Sequence, residues 1–340
     1  MSLSIDGGAM LTRRDVLNHL GAAGVSAAAL HAGVAAAAMP SERAAPDFQV
    51  PNGACDCHVH VFGDPAKFPF AEKRIYTPPG ASVEELLQLQ NSLHVDRVVV
   101  VQPSVYAADN SCTVDAVRRM GARARGVAVI DSSTPSAALD EMATAGIRGV
   151  RLNLETNTAG KFDPNSAKAL LDTTAKQIAG RGWHVQFYTR LTTIAALKDD
   201  FAQMPFPLVF DHFGRASAAD GVNQPGFDAL LDLVKSGHAY VKISGAYRCS
   251  NRAPDYADVT PLAQALVKAN PDRIVWGTDW PHPNSDAGRG KPLTDITAPF
   301  PIDDGLLFNQ MAKWVPDADT RKRILVDNPA RLYGFENKAT

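Results

Sequence analysis

The sequence predicts a single-domain (β/α)8 barrel, preceded by an export signal. Three observations point to the barrel: eight short β-branched apolar runs recur, helical patterns separate them, and polar residues gather where the runs end. The runs are ACDCHVHV (54–61), DRVVVVQP (96–103), RGVAVID (125–131), IRGVRLN (147–153), WHVQFYT (183–189), FPLVFDH (206–212), HAYVKIS (238–244) and RIVWGTD (273–279). Near-continuous apolar character marks strands buried on both faces, as in a parallel sheet under helices. Between them, SVEELLQLQNSL (82–93), SAKALLDTTAKQIAG (166–180), PGFDALLDLVKS (225–236) and TPLAQALVKAN (260–270) have helical spacing and open near Ser, Thr or Pro. A doubly wound open sheet is the alternative arrangement of these elements.

The first forty residues differ in composition. Arg13 and Arg14 precede an Ala/Gly/Leu run that ends in AAAAMP (35–40), the pattern of a twin-arginine export signal over residues 1–39. A linker (40–53) and the barrel domain (54–336) follow. Asn18, His19, Ser26 and His31 interrupt the run, so no stable membrane anchor is expected. The expected location is the periplasm, with a cytoplasmic extension as the alternative. There the four cysteines would be free to pair, although Cys55 and Cys57 are badly placed to pair with each other. A net charge of -2 over 340 residues argues against a basic nucleic-acid surface and points to a small-molecule partner.

Active sites of such barrels lie at the C-terminal ends of the strands. His58, His60, Gln102, Ser104, Arg151, Asn153, Tyr188, Asp211, His212, Ser244, Arg248 and Asp279 all fall there. Alternation along a strand sets Asp56, His58 and His60 on one face and Cys55, Cys57 and Val59 on the other. With the histidines facing inward, the cysteines are expected in the helix layer, away from any metal. GTDWPHPN (277–284) ends the eighth strand on Asp279, with His282 in the next loop. No G-x-S-x-G elbow frames a serine nucleophile, and GRGKP (288–292) is too short for a phosphate loop.

H-x-H on the first strand with an aspartate ending the eighth resembles the amidohydrolase superfamily (amidohydrolase family 2). CHVHVFGDPAKFPF, Tyr76, QPSVYAADN, GVRLNL, VFDHFGR, GTDWPHPN and NPARLYGF, in order over about 46–336, resemble the branch of 2-pyrone-4,6-dicarboxylate lactonase and related lactone hydrolases. The resemblance implies a hydrolase opening an anionic lactone: 2-pyrone-4,6-dicarboxylate-like, sulfomuconolactone-like or from a sugar acid. It implies that Asp279 activates water and that His58, His60 and His212 polarise the carbonyl by donating hydrogen bonds. It places Tyr76, Ser104, Arg151, Tyr188, Arg215, Arg248 and His282 in or beside the substrate pocket, the arginines holding a carboxylate or sulfonate. The chain departs from the branch after the fourth strand, where Asn157, with Lys161 nearby, replaces a second arginine.

Metal-binding members of the superfamily usually draw a further histidine or modified lysine from the fourth or fifth strand. GVRLN and WHVQFYT offer none at the top, and His184 lies four residues below Tyr188. Arg151 would also repel a dication. A metal-free centre is therefore expected; if zinc is present, His58, His60 and Asp279 are its expected ligands. Two alternatives remain: a zinc-dependent amidohydrolase or decarboxylase, and a periplasmic barrel that binds an anion without turning it over.

Overall fold

The computed structural model describes residues 43–154 and 163–336. The signal segment, Asn157 and Lys161 lie outside the described residues. Eight parallel strands follow one another around a barrel in sequence order: β1 (Cys55–Val59), β2 (Arg97–Val101), β3 (Ala124–Ala128), β4 (Ile147–Asn153), β5 (His184–Tyr188), β6 (Leu208–Phe210), β7 (Ala239–Ser244) and β8 (Ile274–Gly277). The ring closes just above β1 and β8, where Asp279 N–H donates to His58 O at 2.8 Å and His60 N–H to Trp280 O at 2.8 Å. The doubly wound alternative is thereby excluded.

Helices cover the outside, and local chemistry sets their starts. Ser82 and Glu85 form a capping box ahead of the helix Val83–Leu93. Asp163 caps the helix Pro164–Ile178, whose first residue is proline. Among the described residues, no helix is long and apolar enough to cross a membrane. The described part of the expected linker is packed: Phe48 meets Phe308 edge-on at 4.9 Å, and Ala44 N–H donates to the Asp303 carboxylate.

One expectation about β1 is overturned. The ladder with β2 pairs Asp56 with Val98 but Val59 with Val100, so an extra residue bulges between them. A bulge reverses strand parity, and it brings Cys57 and His58 to the inner side in succession. Cys55 and Cys57 accordingly pack inside the barrel with Val99, Val101, Val127 and Tyr333, not in the helix layer. Asp56 faces away from the imidazole rings: its carboxylate accepts from the Thr278 hydroxyl at 2.6 Å, the Thr278 N–H at 3.0 Å and the His58 N–H at 3.1 Å. All four cysteines are buried and free. On the same floor His184 packs edge-on against Tyr333 at 5.2 Å. Its ring occupies the space that a side chain at Gly149 would fill, an added Cβ meeting it at 2.3 Å.

Candidate active site

Above that floor, the strand ends bring three imidazoles around one carboxylate. His60 Nδ1 donates to Val101 O at 2.8 Å, which leaves its Nε2 as an acceptor 3.5 Å from Asp279 Oδ1. His58 Nε2 lies 3.6 Å from the same oxygen, and His212 Nε2 lies 3.7 Å from Asp279 Oδ2. His212 Nδ1 meets Ser244 Oγ at 2.9 Å. Asp279 Oδ2 accepts from Tyr247 Oη at 2.7 Å and from Arg248 Nε, whereas Oδ1 makes no hydrogen bond. Asp279 adopts φ 67° and His212 φ 49°, left-handed conformations uncommon for such residues and associated with functional sites. Gly245 lets the two approach: a Cβ there would stand 3.0 Å from His212 Nδ1 and 3.1 Å from Asp279 Oδ2.

A second carboxylate lies one step deeper. Asp211 Oδ2 accepts from Arg151 Nε at 3.1 Å and Gln186 Nε2 at 3.1 Å, and Arg151 Nη2 lies 3.0 Å away. Lys242, fully buried in β7, places Nζ 3.7 Å from Asp211 Oδ1 and 3.3 Å from His58 Nδ1. Burial alone would raise both carboxyls. Arg248 and the histidines overcome this at Asp279, while His58, Arg151 and Lys242 do so at Asp211, so both stay well below the usual range. Burial lowers His58, aided by Lys242, and lowers His60; it takes His212 to about 3. The site thus favours ionised carboxylates, while burial favours neutral imidazoles.

A small cavity of about 40 Å³ opens over this cluster, lined by His60, Tyr76, Ser104, Arg151, Tyr188, His212, Arg248 and Asp279. A larger recess of about 380 Å³ beside it shares Ser104, Arg151 and Asn153. Three expected residues do not line it: His58 is fully buried against Asp279, and Arg215 and His282 stand behind the walls. Arg215 donates to the Tyr188 hydroxyl, and His282 lies 3.1 Å from Asp304 and 3.4 Å from Tyr247 Oη. Lys242, Gln186 and Tyr247 were not singled out in the sequence, and Asp211 was noted without a role. A lysine inside the apolar run HAYVKIS, two residues before Ser244, was the available signal. Among the described residues, two donor groups have metal-like spacing, His58/His60/Asp279 and His58/Asp211/His212, the donor atoms of each within 4.8 Å of one another.

Comparison with known proteins agrees with this architecture. The family model described as Amidohydrolase matches residues 55–335. The 4-sulfomuconolactone hydrolase of Rhizobium radiobacter is 39% identical over 309 residues, 89% of this chain and 97% of that protein. The 2-pyrone-4,6-dicarboxylate hydrolase of Comamonas testosteroni is 39% identical over 305 residues, 85% of this chain and 92% of that protein. A solved Acinetobacter baumannii structure, provisionally named 2-pyrone-4,6-dicarboxylic acid hydrolase and holding citric acid, superposes with a TM-score of 0.66. It is 25% identical and covers 83% of this chain and 100% of that one. The chain therefore belongs to the amidohydrolase family, in the branch that contains these lactone hydrolases, and is a hydrolase.

Proposed function

We propose that the protein hydrolyses the ring ester of a small anionic lactone, with Asp279 as general base. The observation that carries this reading is the pairing of an ionised, partly unsatisfied carboxylate with two guanidiniums at one cavity, Arg151 and Arg248. A fixed guanidinium suits a carboxylate or sulfonate, and the named relatives act on sulfonated or dicarboxylated lactones. Citric acid in the A. baumannii structure is likewise anionic.

Water held by Asp279 Oδ1 and the lone pair of His60 Nε2 attacks the lactone carbonyl carbon, and its proton passes to Asp279. The carbonyl oxygen becomes an alkoxide stabilised by the Nε2–H of His58 and, with the Ser244 hydroxyl donating to its Nδ1, by that of His212. The ring C–O bond then breaks, Asp279 returns the proton to the leaving oxygen, and a hydroxyl or enol and a carboxylic acid remain, the acid ionising by releasing its proton to solvent. His60 thus accepts where the sequence suggested a donor, because Val101 O already takes its only proton. An anionic group paired with Arg248 weakens that residue's hold on Asp279 and makes the carboxylate a better base.

A divalent cation, when bound, supplies the same chemistry by polarising the carbonyl and acidifying water. His58, His60 and Asp279 would hold it, but their surroundings do not suit one. Arg248 already pairs with Asp279, and Arg151 and Lys242 already serve Asp211. Three cations on two carboxylates leave excess positive charge facing a dication. A panel of sulfonated, carboxylated and neutral lactones, followed by ring opening, tests the proposal. Anionic lactones should give a kcat/KM at least about 10²-fold above neutral isosteres. Binding of the anionic lactones without any hydrolysis would instead identify an anion-binding barrel.

A further inference from the structure

We infer that Lys242 is a positioning residue: its third N–H donates to His58 Nδ1 and fixes the proton of that imidazole on Nε2, facing the reacting carbonyl. The inference deepens the lactone-hydrolase reading and rests on it for the role of His58.

An ammonium group has three protons to place, and a buried one needs a partner for each. Lys242 Nζ donates to Cys57 O at 2.8 Å and to Gln186 Oε1 at 2.7 Å. The remaining partner in hydrogen-bonding position is His58 Nδ1 at 3.3 Å. Asp211 Oδ1 is the competitor, because it also lies 3.3 Å from His58 Nδ1 and would draw a proton onto that nitrogen. The lysine decides the contest: an ammonium can only donate, so its contact with Nδ1 needs a bare ring nitrogen, whereas the approach of Nδ1 to Asp211 Oδ1 lies outside hydrogen-bond geometry. Gln186 fixes the arrangement further. Its amide nitrogen gives to Asp211 while its oxygen receives from Lys242, so neither terminus is free to reverse.

His58 Nδ1 is therefore an acceptor. A neutral imidazole has one N–H, which falls to Nε2, the atom without a hydrogen bond that points at Asp279 Oδ1 from 3.6 Å. The lysine also holds the first strand at its bulge, through Cys57 O. That bulge is what turns His58 inward. A nitrogen holding a proton offers no lone pair to a metal, so the same bond removes His58 from the candidate ligand set. Asp279 and His60 alone fall short of the three protein ligands of a catalytic zinc.

The test is ring-nitrogen NMR on the full chain labelled with 15N-histidine, without substrate, His58 being assigned by comparison with His58→Gln. The expected result is a protonated Nε2 and a bare Nδ1. In Lys242→Met the proton should move to Nδ1, with kcat on the best lactone lower by about 10²-fold, the loss typical of one oxyanion donor, and KM little changed. Lys242→Gln keeps an N–H donor and should retain the Nε2 proton and recover about tenfold of that loss. A wild-type His58 protonated on Nδ1 overturns the inference, as does a folded Lys242→Met with unchanged tautomer and kcat. Should Lys242→Met not fold, the wild-type spectrum alone decides. A lactone panel without turnover would overturn the hydrolase reading yet leave the tautomer result standing.

Discussion

His212 at the mouth of the barrel and His184 on its floor are alike in burial and in titration. Both rings are almost wholly buried, and burial takes each to about 3. Their surroundings differ. His212 sits between Ser244 and Asp279, beside Arg248. His184 packs on Tyr333 above Gly149, and no carboxylate pairs with it among the described residues. A depressed imidazole therefore marks dryness in either layer. Convergence on a carboxylate, within reach of a cavity and a guanidinium, is what separates the working layer from the packed one.

Breaking the upper layer should have the largest effect. Asp279→Asn removes the base while nearly keeping the shape, so kcat should fall about 10³-fold with the circular dichroism spectrum unchanged. A kcat within tenfold of wild type would assign the base elsewhere.

A change on the floor should touch stability and little else. A histidine whose folded pKa lies below its unfolded value favours folding above about 6.5, and that contribution is lost as pH falls towards about 3. In that window the unfolded chain takes up a proton that folded His184 refuses. His184→Gln should therefore flatten the pH dependence of the urea unfolding free energy between pH 6 and 4, by about one proton of slope. Its kcat at pH 7 should match wild type; a large loss would show that the floor takes part in catalysis.

The strands were legible because each is a buried apolar run bounded by turn residues, a pattern that survives without tertiary information. The mouth was legible for a related reason: a polar residue ending an apolar strand, as Arg151, His212 and Asp279 do, is costly unless it is used or paired. Facing was not legible at β1. Parity counting assumes an unbroken ladder, and the bulge between Asp56 and Val59 depends on neighbours from β2, β7 and β8. Lys242 escaped for the opposite reason. Its position in β7 was read correctly as strand, but nothing local announces that Gln186, Cys57 and His58 will gather its three protons. Arg248 shows the same limit, since its ion pair with Asp279 joins two loops that are distant in sequence.

On the proposed mechanism, hydrogen-bond donors and Asp279, rather than a bound ion, carry the hydrolysis. Its most direct test is the turnover of the best anionic lactone by protein dialysed against chelator, with metal content measured on the same sample. Full turnover without stoichiometric metal is expected. Loss of turnover together with a bound metal, restored by one equivalent of zinc, would contradict it.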